Sequence, residues 1–595
     1  MFNTKEKISK NLLYILKDLG VTVEKVTVQE PVDFSHGDLT SNIALQISKD
    51  LQLPPREIAQ KIADMYPEDE DIEKVEVAGA GFLNFTFSEQ YLRKVVSTIS
   101  KEGSEAFRIG LNKGKKYIIE YTDPNPFKIF HIGHLYTNIV GESFARQQEA
   151  LGATVYRANY QGDVGLHVAK TLYGLKILFE KESTTFEDLK KRDLVEKVKY
   201  LGEAYMLGFN HYDDLKDREA IEEVKMLNYY IFSLYIPSLE RKPFFDTFEK
   251  EGIKEMYEDG KQWCMEHFER IYERTGTKFD NYFLESEMSE KGLELVMENT
   301  TPEGKAIFIK DDGAVIYRGD ESKGLHTRVF VNNEGLPTYE AKELALAYTK
   351  FEQVPFDESV IITANEQSMY FKVVLDAISQ LSPEIANRSK HFSHGMVKLP
   401  GAEKMSSRKG QIIEGEWLLD ETKRRVVDIM EGSKQWDESE ISQASEKISI
   451  AAIKYSFLKV GVGKDVIFDF EKSISFDGDT GPYLLYVYAR CKSILDGQRI
   501  NDTQDGRYPL NPYTKALISQ ISRYNDTLLN SSLSYTPSTL CSYLFDLGQS
   551  FNSFYQNVRV LESEDKEFLL TVVDATAKTM EHGLNVLGIK VVDRM

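Results

Sequence analysis

The chain has 595 residues, a formal net charge of −21, and 42% hydrophobic and 28% charged residues. That length implies several domains, and the balance excludes a disordered or fibrous chain. Strong acidity opposes phosphate at long range, so any contact with nucleic acid must rest on local basic surface. Cys264, Cys491 and Cys541 lie far apart with no CxxC pair, which argues against a disulfide framework or cysteine-built zinc site and fits a reducing compartment.

The opening MFNTKEKISKNLLYILKDLG reads as a helix rather than a leader. Ile8, Leu12, Ile15, Leu16 and Leu19 recur at helical spacing, and lysines interrupt any apolar run. No stretch approaches the ~18 apolar residues of a membrane span, so a cytoplasmic location without membrane contact is expected. Residues 1–108 form a small α/β module. HGDLTSNIALQISKDL (36–51) offers Asp38 or Thr40 as a helix cap, and a helix follows around 55–66. A strand pair is expected near a VEKVTV-like segment and AGAGFLNFTF, with Gly79 and Gly81 at the bend.

KKYIIEYT (115–122) is a short apolar strand, followed by the Pro-rich loop DPNPFKIF, a helix from about His131 to Leu151, and a strand at ATVYRANY (153–160). That order is the βαβ unit of a parallel sheet. Residues 176–300 are charged and helical, an insertion without clear site chemistry. Strands at AIFIK, AVIYR, RVFVN and SVIITA are expected to complete the sheet. From about residue 415 onward, four segments carry apolar residues at helical intervals, predicting a separate helical bundle. Of its aromatics, Tyr483, Tyr486, Phe551, Phe554 and Tyr555, most belong to the core and a minority can stack on bases.

His131-Ile132-Gly133-His134 stands where a strand hands over to a helix. A helix N-terminus offers unpaired N–H groups and partial positive charge to phosphate, and imidazoles three residues apart can both donate to its oxygens. Gly133 leaves room for a flat base. A zinc site from His131, His134 and His167 is disfavoured, because no HExxH or well-spaced acidic ligand accompanies them, and no protein-bound metal is expected. Downstream, Lys404-Met405-Ser406-Ser407-Arg408-Lys409-Gly410 is a basic loop. From Arg388 to Lys409 there are six Lys or Arg against the single acid Glu403. Such a loop can close over a triphosphate and neutralise charge as pyrophosphate leaves. Neither a GxxxxGK[ST] phosphate loop nor a GxGxxG fingerprint is present.

Together the two elements resemble the HIGH and KMSKS signatures of class I aminoacyl-tRNA synthetases. The segment from Glu120 to Lys128, NYQGDVG (159–165), LPTYEAKELA (336–345), ANEQ (364–367) and HGMVKLPGAEKMSSRKG (394–410) resemble motifs of the arginyl enzymes. FYQNVRVLE (554–562), the terminal HGLNVLGIKVVDRM, and GAGFLNF (79–85) agree with the same family. The resemblance covers the chain outside 176–300. It implies a Rossmann-like parallel-sheet catalytic domain (109–415) between an N-terminal α/β tRNA-elbow domain (1–108) and a C-terminal α-helical anticodon-binding domain (416–595). It implies arginine activation by ATP with Mg²⁺, transfer to the terminal adenosine of tRNA(Arg) at the 2′ position, activation that waits for tRNA, and a monomer.

Carried over residue by residue, Lys128, His131, His134 and Lys404 are catalytic, and Gly133, Met396, Arg408 and Lys409 join His131, His134 and Lys404 around ATP. Glu120, Asn125, Tyr339, Glu343 and Gln367 form the arginine pocket. A guanidinium has five donors and no acceptor, so acids there suit it. Phe82, Asn84, Tyr483 and Met595 are assigned to tRNA. Two departures stand out: Glu343 replaces the family's common Asp, and Ser407 replaces a lysine whose work Lys128 can take over. A small nucleotidylyltransferase also uses an HxGH turn but needs neither the basic loop nor a helical C-terminal domain. A non-catalytic tRNA-binding relative would not need to keep the histidines, Lys404 and the acidic pocket together.

Overall fold

The computed structural model describes residues 4–31, 36–301, 306–401, 413–433, 437–500 and 508–595. Lys404, Arg408 and Lys409 of the basic loop, with Ser407, therefore lie outside the described residues.

The N-terminal module sets the helix Thr4–Asp18 against a three-stranded antiparallel sheet in the order β1 (Leu39–Ser41), β3 (Phe82–Phe87), β2 (Ile72–Ala78). The hairpin is made by IEKVEVA with FLNFTF, while VEKVTV itself (23–28) forms no strand. Asp38 and Thr40 do not cap a helix. Thr40 lies in β1, and the Asp38 carboxylate accepts from Phe87 N at 2.8 Å and from Ser519 Oγ at 2.6 Å.

A five-stranded, wholly parallel sheet carries the centre. Its strands are β4 (Lys116–Glu120), β5 (Thr154–Gln161), β6 (Asn281–Leu284), β10 (Glu358–Ala364) and β11 (Ser389–His394), in the spatial order β11-β10-β4-β5-β6. Strand β4 is buried from Tyr117 through Glu120, as a central parallel strand covered on both faces requires. The order reverses between β4 and β10, the switch point outside which open α/β sheets bind ligands.

Three of the expected strands do not belong to this sheet. β7 (Ile309–Asp311), β8 (Ala314–Tyr317) and β9 (Arg328–Val331) make a separate antiparallel sheet, and β6 comes instead from within the helical 176–300 stretch. The reason is local. Asp312 and Gly313 have φ of 44° and 80°, the two positive values of a two-residue hairpin turn, and such a turn can join only antiparallel neighbours. Short strands β12 (Val397–Lys398) and β13 (Val466–Ile467) pair in parallel beyond β11.

The C-terminal region is helical as expected, with Glu438–Leu458, Gly481–Leu495, Pro537–Asn557 and Lys566–Val586 as its long helices. Its apolar core is continuous with that of the rest of the chain, running from Ile8 through Ile139 to Leu584 and Val592. Polar contacts reinforce the joint: Gln147 Nε2 donates to Ser531 Oγ at 2.9 Å, and buried Lys454 donates to Thr275 O at 2.6 Å. Phe551 and Phe554 are fully buried and Tyr483 nearly so, whereas Tyr555 is 43% exposed.

Candidate active site

The loop from Tyr121 to Phe130 joins β4 to the helix Ile132–Ala150 and is strained. Thr122, Asp123 and Phe127 have φ of 80°, 45° and 67°, values that cost energy for residues with a Cβ. Its surroundings hold it. Asn138 Nδ2 donates to Thr122 Oγ1 at 3.0 Å, Tyr160 N to Asp123 Oδ1 at 2.8 Å, and Phe127 N to Cys264 Sγ at 3.2 Å. The Phe127 ring packs where a Cβ on Gly260 would sit, 2.5 Å away. The loop thereby presents Asn125 and Lys128 at the carboxyl edge of the sheet.

His131 caps the following helix. Its Nδ1 accepts from Gly133 N at 3.1 Å and His134 N at 3.3 Å, while His134 Nδ1 accepts from His131 N at 3.3 Å. Ile132 N is taken by Ile413 O at 2.9 Å. The open backbone N–H groups expected here are thus occupied, and the donors left are on the imidazoles. With both Nδ1 atoms accepting, each neutral ring carries its proton on Nε2. The rings stack 3.7 Å apart. Burial, then Lys128, takes His131 down to about 4, and burial, then His131 and Lys128, takes His134 well below its ordinary value. Both are therefore neutral N–H donors at physiological pH. Gly133 is needed for this cap, since a Cβ there would meet the His131 ring at 2.9 Å; the space foreseen for a base is filled by that ring.

The acids sit one step along the strand ends. Glu120 closes β4, and its Oε2 accepts from Lys350 Nζ at 2.8 Å. Glu285 follows β6 and forms a buried ion pair with Lys342. A Cβ on Gly162 would lie 2.1 Å from Asn125 Oδ1 and 2.8 Å from Glu285 Oε1, so strand-end turn, loop and Glu285 converge. Burial and then Glu120 raise Glu343 well above the ordinary carboxylate range, and the same two causes raise Asp123. Lys128 is lowered by burial against the pull of Glu285, and Glu285 is the largest cause of the raised Tyr339 phenol. The charges thus act on one another in turn, Lys128 on His131, Glu285 on Lys128, Tyr339 and Glu343, and Glu120 on Glu343.

Other assigned residues lie at its rim or beyond. Tyr339 is 48% exposed, and Gln367 sits exposed just past β10. Met396 follows β11, with its N–H on Asp465 Oδ1 at 2.8 Å. The basic loop leaves the described residues after Gly401 and re-enters at Ile413, where Gly415 N meets Phe130 O at 2.8 Å, directly beside the His131 turn. Farther away, Phe82 is exposed, whereas Asn84 is buried with its Oδ1 accepting from Thr40 Oγ1 at 2.7 Å. Tyr483 Oη accepts from Asn552 Nδ2 at 2.9 Å, and Met595 packs partly buried at the terminus.

Sequence reasoning missed Glu285, Lys342, Lys350 and Arg490. The YFLE segment (282–285), a short apolar run ending in an acid like that of β4, was the available signal for Glu285. Arg490 lies 4.4 Å from the Tyr486 ring centroid and 4.8 Å from that of Tyr555.

A family model described as the catalytic domain of class I (R) tRNA synthetases matches residues 95–470, more than half of the chain. The chain belongs to the arginine-type class I tRNA synthetases. Models of a DALR anticodon-binding domain and of the arginyl tRNA synthetase N-terminal domain match residues 484–595 and 3–87. The arginine–tRNA ligase of Flavobacterium psychrophilum is 28% identical over 604 residues, covering 98% of each chain. That of Fusobacterium nucleatum is 28% identical over 591 residues, 96% of this chain and 95% of the other. Thermus thermophilus arginyl-tRNA synthetase shares the fold with a TM-score of 0.76 at 22% identity, over 99% of this chain and 100% of that one. The Plasmodium falciparum arginyl-tRNA synthetase gives 0.78 at 20%, over 100% and 99%.

Proposed function

We propose that the cleft at the carboxyl edge of the sheet is where this ligase activates arginine with Mg²⁺-bound ATP and passes the arginyl group to the terminal adenosine of tRNA(Arg). The observation that carries this reading is the pair of neutral Nε2–H donors on His131 and His134, set beside Lys128 and a group of buried carboxylates. Phosphate and guanidinium are the two ligand groups such a site can hold side by side.

In the first step the arginine carboxylate attacks the α-phosphorus of ATP, the bond to pyrophosphate breaks, and arginyl-adenylate forms. His131, His134 and Lys128 meet the charge that moves onto the phosphate oxygens, and donors already in place need no reorganisation at that moment. Gly133 and Met396 border the nucleotide. Lys404, Arg408 and Lys409, outside the described residues, are assigned to the departing pyrophosphate. In the second step the terminal 2′-hydroxyl attacks the activated carbonyl and AMP leaves. Positioning does most of the work.

On the amino-acid side, Glu120 and Glu343 take the guanidinium, with Asn125, Tyr339 and Gln367 at the rim. Because Lys350 already occupies one oxygen of Glu120, Glu343 carries more of the recognition than its shared role implies. Pairing a planar fork with buried acceptors rejects neutral analogues without an editing site. Phe82 and Asn84 in the elbow domain (1–108), and Tyr483 and Met595 in the helical domain (416–595), are the assigned tRNA contacts around the catalytic domain (109–415). Arg490 and Tyr555 add a cationic, base-stacking surface to them. The enzyme works as a cytoplasmic monomer; among the described residues no helix is long and apolar enough to cross a membrane.

The deciding experiment measures AMP formation with each of the twenty amino acids, with and without bulk tRNA. Arginine alone should sustain it, and only with tRNA present. Equal turnover with another amino acid would reject the reading.

A further inference from the structure

Two buried phenols lie on the same face of the sheet as Glu120 and have no hydrogen-bond partner among the described residues. Glu120 pairs in register with Ala158 and with Ile361, and Tyr160 pairs with Phe283. Alternation along a strand therefore places Glu120, Tyr160 and Ile361 on one face of the sheet. The helices Tyr339–Gln353 and Ser368–Leu381 cover that face, since Ala341, Leu344 and Phe371 share one core with Ala158, Tyr160 and Ile361. The first helix brings Glu343 and Lys350, and the second brings Tyr370. Tyr160 is 7% exposed and Tyr370 9%, and neither hydroxyl has a partner among the described residues.

An unpartnered buried hydroxyl is costly, and native proteins satisfy nearly all such groups, so two in one pocket need an explanation. Burial, then Glu285 and Glu343, hold Tyr160 protonated; burial, then Glu343, Glu340 and Glu285, do the same for Tyr370. Each hydroxyl therefore keeps one proton to give and lone pairs to receive. A guanidinium brings five N–H donors, more than the free oxygens of Glu343 and the one oxygen of Glu120 not bonded to Lys350 can take with good geometry.

We propose that Tyr160 and Tyr370 are specificity-determining residues of the arginine pocket, their hydroxyls, which have no partner among the described residues, accepting guanidinium N–H bonds. This rests on the pocket assignment above and extends it to two residues outside that assignment, Tyr160 within the NYQGDVG segment and Tyr370 beyond any quoted motif. On this reading the bound guanidinium meets two hydroxyls that the described protein groups leave without a partner.

The test uses the full chain carrying Tyr160→Phe or Tyr370→Phe, which keep ring and volume. The expected result is an arginine KM raised roughly tenfold or more per hydroxyl, as for a lost hydrogen bond to a charged group, with ATP KM changed less than twofold. The Tm without arginine should equal or exceed that of the wild type, the opposite of what a merely structural hydroxyl would give. Wild-type arginine KM in both variants overturns the proposal. So does a raised arginine KM accompanied by a lower Tm and an equally raised ATP KM. Glu120→Gln and Glu343→Gln separate the two levels: if they leave arginine KM unchanged, the pocket assignment itself fails, whereas if they raise it and the phenylalanine variants do not, only this inference fails.

Discussion

Lys350 Nζ stands 2.8 Å from Glu120 Oε2, and both side chains are 2% exposed. The pair joins the carboxyl end of β4 to the last turns of the helix that carries Tyr339 and Glu343. A buried pair of this kind adds little net stability when whole, but breaking it strands a charge away from water. In the proposed pocket the pair fixes one acid, Glu120, and leaves its neighbour Glu343 for the ligand.

Lys350→Met should therefore lower the unfolding free energy by about 3–5 kcal/mol in urea titrations, whereas combining it with Glu120→Gln should recover most of that loss. A single variant as stable as the wild type would show that the ammonium does not hold the carboxylate.

His131 caps its helix and, in the proposed reaction, also donates to phosphate; substitutions can divide these roles. Asn is among the best N-cap residues, so His131→Asn should keep Tm near wild type while kcat falls about 10²–10³-fold. His131→Ala should lose the same activity and also about 1 kcal/mol of stability. Pre-steady-state adenylate formation together with thermal melts would measure both. His134→Ala should slow adenylate formation in the same assay with little effect on folding.

Acid should destabilise the protein through its buried histidines. Burial lowers His131, His391, His394 and His582 from 6.5 to about 4. Between those values the unfolded chain binds more protons than the folded one, so stability rises with pH in that window. It is fully present above about 6.5 and is lost as pH falls toward 4. Urea midpoints from pH 7 to pH 5 should record the decline. His582→Gln, which retains an acceptor for Tyr524 Oη, should reduce the slope by up to about 1.4 kcal/mol per pH unit. An unchanged slope would place the titrating groups elsewhere.

Tyr555→Ala should raise the KM for tRNA about tenfold or more, in line with one lost base stack, and leave the KM values for arginine and ATP unchanged. Arg490→Ala should act in the same direction, since its guanidinium lies between the Tyr486 and Tyr555 rings. Steady-state charging with each substrate varied in turn would distinguish this from a general loss of fold, which would move all three constants.

Local pattern alone was enough for much of this protein. The apolar run before Glu120, the helix from His131, the strand at ATVYRANY and the helical C-terminal half all follow from short-range periodicity and from where Gly, Pro and charge interrupt it. The order of the motifs was likewise enough to name the family, because it needs only linear sequence. Pairing was not legible. Whether AVIYR joined the central sheet or a hairpin depended on the turn at Asp312 and Gly313, and the strand that did join, NYFL, is too short to announce itself. Charge partners were equally hidden. Nothing local to Glu120 reveals Lys350, 230 residues away, nor to Tyr160 the helix bearing Glu343 that packs over its face of the sheet. Composition and spacing decide which elements form, since those forces act within a few residues. Which acid is already neutralised, and which hydroxyl is left waiting, is settled only when distant segments exclude water from the same space.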